Sequence, residues 1–346
     1  MKKEAKCVVW DLDNTIWDGT LSEGDEVQLK DGIREILEVL DKRGILHSVA
    51  SKNNHEDAWK KLKDFGLDHF FLYPEIHWNA KSHSIANIRE HLNIGIDTFI
   101  FIDDQPFERD EVANTHPEVE TIDAVRYDQL LDHQRLNPKF QTKDSQRRRL
   151  MYQEEIERSE EEQEYQGPKE EFLASLNMEF IITEAVEEDL QRCEELTERT
   201  NQLNATGKTY SYGELFDLIK SDDHKLYVCE LKDRYGSYGK IGLSLVEIKE
   251  DCWHLRMLLM SCRVLSKSVG SVLMTYILQE AKSNSHKLQA DFKHTDRNRM
   301  MYLTFKFSGF KEVSTEGDLV LFENDLSQIQ PWPPYIEVSV PVPQSN

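Results

Sequence analysis

Residues 8–15 read VVWDLDNT. Three apolar side chains in a row predict a short buried strand, and Asp11 and Asp13 follow it directly. In a parallel α/β sheet, ligands bind beyond the carboxyl ends of the strands, so we expect both carboxylates at the edge where a site forms. Paired carboxylates there suit a divalent cation beside a phosphate, and one of them could attack phosphorus as a nucleophile. A solvated turn is the alternative for this pair alone.

Two further segments supply the hydroxyl and cationic groups that such a site needs. Residues 45–50, ILHSVA, predict a second buried strand, which ends in Ser51. Its hydroxyl could donate to a phosphate oxygen, although the same residue could cap a helix. Lys81 opens a helical pattern, and its ammonium could neutralise a phosphoryl group, although a lysine at the surface is the commoner case. The substrate-binding residues that we predict are Ser51, Lys52, Asn53 and Lys81.

A third apolar run repeats the first arrangement. Residues 98–102, TFIFI, predict another buried strand, and Asp103 and Asp104 follow it. If this strand lies beside the first one, the acidic groups converge, and a cation would relieve their mutual repulsion.

These segments resemble the haloacid dehalogenase superfamily of aspartate-based phosphotransferases. More narrowly, they resemble its FkbH-like branch in the motifs DLDNTIWDG (11–19), SKNN (51–54), WNAKS (78–82) and FIDDQPFER (101–109). The resemblance implies that Asp11 is a phosphate-facing nucleophile or ligand, and that Asp13 is an acid/base and a metal neighbour. It also implies that Ser51 and Lys81 hold phosphate. The Mg²⁺ ligands that it implies are Asp11, Asp13 and one of Asp103 and Asp104.

Residues 169–328 predict a second α/β unit. A strand pattern at residues 253–260 is followed by a helical pattern at 267–281. The order of elements resembles the GNAT-type acyltransferase fold, in which a Gly-containing loop and a helix N-terminus hold a pantetheine pyrophosphate. Ser266 stands where that loop would have a glycine. We therefore expect a groove for the phosphopantetheine arm of a carrier protein, and binding of coenzyme A stays open.

Acyl transfer through a thioester would need a cysteine, and Cys262 is our first candidate. It precedes the groove loop, and Arg263 beside it favours the thiolate. Some family members place a cysteine between the two aspartates, where this chain has Leu12. Cys7 lies on the strand of Asp11 but about 13 Å away at ordinary strand rise, so we expect it in the core. The sequence leaves open whether Cys262, Cys7 or no cysteine carries an acyl group.

Composition narrows the classes of partner. A chain of 346 residues exceeds one comfortable core, so we expect two domains. A formal net charge of −22 argues against nucleic acid and against anionic membrane surfaces. No apolar run approaches a membrane span, and the MKKE start lacks the apolar stretch of a signal peptide. We expect a cytoplasmic protein whose five scattered cysteines are reduced.

Changes in composition mark the domain boundaries. A stretch dense in Arg, Glu and Gln predicts an exposed helix, and repeated prolines near the end predict an extended tail. We predict a haloacid dehalogenase-like phosphate-processing domain at 1–140, a charged helical linker at 141–168, an acyltransferase-like domain at 169–328 and a Pro-rich tail at 329–346.

The FkbH-like resemblance extends over both halves. It implies an enzyme that takes 1,3-bisphosphoglycerate, removes phosphate and loads the three-carbon glyceryl unit onto an acyl carrier protein for polyketide biosynthesis. The residues permit this chemistry, because a thiolate can displace phosphate from an acyl phosphate to give a thioester. Two alternatives stay open. One is a Mg²⁺-dependent small-molecule phosphatase with an inactive acyltransferase-like module, and the other is a non-catalytic scaffold that binds a carrier protein.

Overall fold

The computed structural model describes residues 3–200, 202–267, 269–284 and 287–340, with the backbone alone at 262, 265 and 266. The chain divides into two compact units, Met1–Ile156 and Glu157–Asn346. The strands are β1 (Cys7–Trp10), β2 (Trp17–Asp18), β3 (Gln28–Leu29), β4 (Leu46–Ser51), β5 (Glu75–Ile76), β6 (Phe99–Asp103), β7 (Glu120–Asp123), β8 (Met178–Glu184), β9 (His224–Asp233), β10 (Gly236–Lys249), β11 (Cys252–Met260), β12 (Lys287–Lys293), β13 (Lys311–Glu316), β14 (Leu319–Asn324) and β15 (Ile336–Ser339). The α-helices are α1 (Ile33–Lys42), α2 (His55–Asp64), α3 (Lys81–Leu92), α4 (Pro106–Thr115), α5 (Lys143–Gln146), α6 (Arg148–Glu164), α7 (Lys169–Ser175), α8 (Leu190–Arg199), α9 (Tyr212–Ile219), α10 (Gly270–Ser283) and α11 (Arg299–Phe307).

The first unit is built on a parallel five-stranded sheet in the order β5-β4-β1-β6-β7. Its central strand β1 is buried along its whole length, with Val9 opposite Ser48 of β4 and Phe101 of β6. Strands buried on both faces read as unbroken apolar runs, which is why these runs stand out in the sequence. Because β1 and β6 are neighbours, the two acidic pairs reach the same edge of the sheet.

The helices of the first unit begin close to the polar strand ends. Asn54 caps α2 by accepting a hydrogen bond from the backbone N–H of Asp57, directly after β4 ends. Helix α3 begins at Lys81, and α4 begins at Pro106, which suits the first helical turn because proline has no N–H to lose there. The loops between the strands and the helices that follow them therefore place their polar side chains at one edge of the sheet.

The second unit contains an eight-stranded sheet in the order β13-β14-β12-β11-β10-β9-β8-β15. Its pairs are antiparallel except for β11 with β12 and β15 with β8. Residues of α10 and α11 belong to the apolar cluster on one face, and residues of α8 and α9 to the cluster on the other. The predicted fold class is confirmed: a parallel-sheet α/β domain is followed by a second α/β unit.

The predicted tail at 329–346 is wrong for part of its length. Residues Ile336–Ser339 form β15, which pairs in parallel with β8, and Ile336 is buried. Ile336 and Val338 alternate with polar residues, which is the pattern of a half-buried strand, although prolines precede this segment.

The predicted linker is helical but is not wholly exposed. Helix α6 spans most of it, and Arg158 is buried with its Nε atom 2.7 Å from Oδ2 of Asp233 on β9.

None of the helices in the described ranges combines the length and hydrophobicity that crossing a bilayer requires.

Candidate functional site

Lys81 lies at the centre of a buried charged cluster in the first unit. Its Nζ atom lies 2.7 Å from Oδ1 of Asp11 and 2.5 Å from Oδ2 of Asp103, and it also contacts the Glu108 carboxylate. The Lys81 side chain is only 4% exposed. A cation in the first turn of a helix opposes the helix dipole, so these carboxylates must offset that cost as well as desolvation.

The two acidic strand ends meet as the topology requires. The backbone N–H of Asp11 donates to the carbonyl of Ile102 on β6, which brings Asp11 beside Asp103. Burial raises the pKa of Asp11, against the lowering effect of Lys81. Burial and the adjacent Asp11 charge raise the pKa of Asp103 to about 7. Burial is the main cause of both shifts, and the Asp11 charge adds to it only for Asp103.

Three carboxylates form a candidate metal site. Asp11, Asp103 and Asp104 each offer one oxygen, and these oxygens lie within 4.8 Å of one another. Burial also raises the pKa of Asp104. An all-carboxylate donor set at the end of parallel strands suits Mg²⁺, which takes one or two carboxylates and completes its shell with water and phosphate oxygens. Asp103 and Asp104 both belong to this group, so both can contribute a ligand oxygen.

Asp13, which we predicted as a metal ligand, has its carboxylate in hydrogen bonds within the protein. Its Oδ1 atom accepts hydrogen bonds from the indole of Trp17 at 2.7 Å and the backbone N–H of Leu21 at 3.1 Å. Its Oδ2 atom accepts one from Asn53 at 2.9 Å. The three-carboxylate group among the described residues does not include Asp13. Its predicted part in proton transfer stays a prediction.

The loop after β4 brings its predicted residues to the same site. A hydrogen bond with the buried Ser51 hydroxyl helps to lower the pKa of Asp11 against the effect of burial. The amide of Asn53 lies 3.4 Å from Oγ of Ser51 and also reaches Asp13. Lys52 reaches the cluster differently, through an ion pair of 2.8 Å with Glu108. The structure thus joins Ser51, Lys52, Asn53 and Lys81 to the acidic pairs.

Glu108 is the residue that sequence reasoning missed. One of its oxygens pairs with Lys52 and the other with Lys81. Burial alone would raise the pKa of Glu108, but the two ammonium groups lower it. The sequence signal for Glu108 is its position in the first turn of α4, one helical turn after the second acidic pair.

The structure describes the side chain of Cys7 but only the backbone of Cys262. Cys7 is fully buried in the core, where burial raises the pKa of its thiol and keeps it inert. The backbone of Cys262 begins a short 3₁₀ helix, and its side chain lies outside the described part of the structure. Met260 and Val264 on either side of it line a cavity of about 270 Å³.

The backbone edge of β11 next to this cavity is already occupied. The N–H of Ala205 donates to the carbonyl of Leu258, and the N–H of Met260 donates to the carbonyl of Leu203. On the other side, the N–H of Lys293 on β12 donates to the carbonyl of Ala205. Residues 203–205, which we call the inserted segment, therefore fill the gap where β11 and β12 separate.

Comparison with known proteins agrees with the geometry of the first unit. Residues 14–122 match the family model of haloacid dehalogenase-like hydrolases. The first unit is a haloacid dehalogenase-like hydrolase domain. A solved structure of the N-terminal part of a Bacteroides fragilis protein, containing a phosphatase domain complexed with Mg, is 32% identical over 39% of this chain, with a TM-score of 0.35. This chain spans 40% of the length of that structure.

Other solved structures are similar to less than half of this chain. An N-acetyltransferase from Thermoplasma acidophilum in complex with coenzyme A is 16% identical, with 42% of this chain and 98% of that chain covered and a TM-score of 0.35. The ribosomal-protein-S18-alanine N-acetyltransferase from Escherichia coli is 11% identical, with 43% and 95% covered and a TM-score of 0.35. No curated protein matches the sequence.

Proposed function

We propose that this chain is a Mg²⁺-dependent enzyme that takes the acyl phosphate of a phosphorylated three-carbon acid, such as 1,3-bisphosphoglycerate, and loads the acyl unit onto the phosphopantetheine thiol of an acyl carrier protein. The observation that carries the phosphate-processing part is the cluster of Asp11, Asp103 and Asp104 around Lys81. The carrier, the polyketide pathway and the glyceryl unit rest on the FkbH-like sequence motifs. The cytoplasmic location rests on composition alone.

The residues of the first unit suit the departure of phosphate. Lys81 and Ser51 provide a buried cation and hydroxyl beside Asp11, where a phosphate group would develop charge as it leaves. Bound Mg²⁺ would neutralise phosphate and carboxylate charge together. With water as the final acceptor, Asp11 would attack phosphorus, and the P–O bond to the acyl oxygen would break to release the free acid. Water would then hydrolyse the aspartyl phosphate, releasing phosphate and regenerating Asp11. With a thiol as the acceptor, a C–S bond forms at the carbonyl while the C–O bond to phosphate breaks.

The decisive experiment uses a phosphopantetheinylated carrier, this chain, Mg²⁺ and 1,3-bisphosphoglycerate, followed by intact mass spectrometry. Loading adds a glyceryl-sized mass to the carrier, and hydroxylamine removes it because thioesters react with that nucleophile. Phosphate release without carrier acylation would identify the chain as a phosphatase. The occupied edge of β11 is the observation that favours this second candidate. Carrier binding without turnover would identify a scaffold instead.

The role of Cys262 is tested in the same assay. If its thiol relays the acyl group, the chain given substrate alone gains the same hydroxylamine-sensitive mass, and Cys262→Ala loses both the adduct and carrier loading. Cys7→Ala is the matched control, because the Cys7 thiol is buried in the core. Loading at the wild-type rate by Cys262→Ala would mean that the carrier thiol takes the acyl group directly.

A further inference from the structure

A second polar cluster lines a cleft on one face of the sheet of the second unit. The cleft has a volume of about 1010 Å³, at the upper end of the range for sites that take drug-sized ligands. Its apolar wall is formed by Leu218, Leu245, Leu319 and Leu321. Its ionisable side chains include Glu247, His254, Arg256 and Asp291, and Lys208, Lys293 and Glu316 also line it. Apolar walls around a few convergent polar groups are the usual composition of a small-molecule site.

A β-bulge accounts for the position of these polar groups. Leu245 of β10 pairs with Met257 of β11, and the next residue pairs with Leu255, so that Arg256 has no residue opposite it. Bulges of this kind redirect side chains and occur frequently beside active sites. The Arg256 guanidinium bonds to Glu247 at 2.6 Å and to Asp291 at 2.9 Å, which fixes both carboxylates in place.

His254 is oriented by Asp291. Its Nε2 atom lies 2.7 Å from Oδ1 of Asp291, a separation that requires the proton on Nε2, although Nη1 of Arg256 also approaches this nitrogen at 3.4 Å. The Nδ1 atom then carries a lone pair, and it has no hydrogen bond to any residue in the described ranges. His254 is 7% exposed and lines the cleft. A histidine held by a carboxylate through one nitrogen is prepared to accept a proton at the other.

Two lysines at the cleft favour an anionic ligand. Lys208 and Lys293 are both exposed, and in the described parts of the chain neither lies within ion-pair distance of a carboxylate oxygen. Lys208 instead lies over the ring of Tyr210, with its Nζ atom 4.4 Å from the ring centroid. A phosphate group near these lysines would gain favourable electrostatic interactions, against the attraction of Lys208 to Glu214 and the repulsion from Glu316.

The inserted segment (residues 203–205) separates this cleft from the cavity beside Cys262. Leu203 lines that cavity, whereas Thr206 lines the cleft. A ligand in the cleft therefore meets His254 without passing the occupied edge of β11.

We propose that this cleft receives the acyl acceptor, a thiol on a phosphate-bearing arm, and that His254 takes the thiol proton while Asp291 orients its ring. The inference rests on the proposed function, because it states where the acceptor binds. A thiol ionises close to neutral pH and an alcohol does not, so imidazole suits a thiol acceptor. The thiol proton moves to Nδ1 and leaves a thiolate on the arm. When that sulfur forms a C–S bond at the carbonyl, the C–O bond to phosphate breaks and phosphate leaves with the electron pair.

Binding is tested by NMR of the full chain labelled in its histidine rings. The His254 signal is assigned by its absence in His254→Gln. We expect free phosphopantetheine and the phosphopantetheinylated carrier to shift this signal, and inorganic phosphate to shift it less. A shift with the carrier but not with free phosphopantetheine would show that binding in the cleft requires the carrier protein. A shift with both would show that the arm alone is sufficient to bind. Absence of any shift with either thiol would overturn the proposal.

Kinetics test the role of His254 in proton transfer. We expect His254→Gln to slow carrier loading by about a hundredfold or more and to remove the acidic limb of its pH profile, with Asp291→Asn weaker in the same direction. The matched control is His294→Gln, at the end of β12 outside the cleft. The control variant should keep the wild-type rates of carrier loading and of phosphate release.

The outcomes separate this inference from the proposed function. Loading by His254→Gln at the wild-type rate, with an unchanged pH profile, would overturn the role of His254 and leave the proposed function standing. Failure of the wild-type chain to load any carrier would instead overturn the proposed function. In that case the NMR measurement on the wild-type chain still decides whether the cleft binds the thiol arm.

Discussion

Acidification should destabilise the first unit through His47, a histidine fully buried on β4. Its Nδ1 atom accepts a hydrogen bond of 3.1 Å from the indole N–H of Trp10, and its Nε2 atom donates one of 3.2 Å to the carbonyl of Leu37. Both nitrogens are used by the neutral ring, so a second proton would break the bond to Trp10. Burial lowers the pKa of His47 to about 3, with the charge of Arg149 adding to the effect.

The sign and size of the effect follow from this value. The folded-state pKa of His47 lies below its ordinary value of 6.5, so the unfolded chain takes up the proton first and the free energy of unfolding falls as pH falls through that interval. The loss should reach about 2 kcal/mol by about pH 5 and about 4 kcal/mol by about pH 3, at roughly 1.4 kcal/mol for each pH unit between the two pKa values.

The assay is urea unfolding of the wild-type chain and of His47→Gln between about pH 7.5 and about pH 5. A glutamine can accept from Trp10 and donate to Leu37 but does not titrate, so its free energy of unfolding should fall less steeply with acid. His69→Gln is the control, because His69 is exposed in the same unit. Equal pH dependence in wild type and His47→Gln, or a His47 NMR signal that titrates near its ordinary pKa, would refute the reasoning.

Three further predictions concern the cluster around Lys81. Asp11→Asn should slow phosphate release by about a hundredfold, equivalent to about 3 kcal/mol of transition-state stabilisation, and a rate within a few-fold of wild type would remove Asp11 from the mechanism. Lys81→Met should lower the free energy of unfolding without Mg²⁺ by about 3–5 kcal/mol, because it leaves buried carboxylates unpaired. Added Mg²⁺ should restore part of the lost free energy of unfolding, as measured by urea titration. If Mg²⁺ restores none of it, the metal site is contradicted. Glu108→Gln should lower kcat for phosphate release by about tenfold, or about 1.4 kcal/mol, because both lysines lose their shared partner. Glu111→Gln on the same helix is its control, since Glu111 instead bonds to Ser82, and equal effects of the two variants would argue against a positioning role for Glu108.

The grouping of Asp11 with Asp103 at one edge of the sheet was predictable from the sequence because it follows from local patterns. Strands β1 and β6 are apolar runs followed by acidic residues. The rule that parallel strands present their carboxyl ends at one edge then joins Asp11 to Asp103 without any coordinates. The place of Asp13 was not predictable in this way. Its carboxylate is held by Trp17 and Asn53, and such bonds depend on the path of the turn after β1.

The second site could not be found from spacing. His254 and Asp291 are 37 positions apart, on strands that pair in parallel and then separate. Arg256 reaches them because of a bulge, which depends on the register between two strands. Glu108 was missed for a related reason, since an acidic residue in the first turn of a helix is common and only the position of both lysines shows its use.

The pairing of β15 with β8 has a practical consequence for work on the second unit. A fragment that ended at residue 328, the boundary that composition predicts, would remove β15 and leave the backbone groups of Met178–Ile181 without their partner strand. An uncovered edge of this kind recruits strands from other molecules, so such a fragment should associate and precipitate. A fragment that extends through residue 340 keeps that edge covered and is the one to express for binding studies.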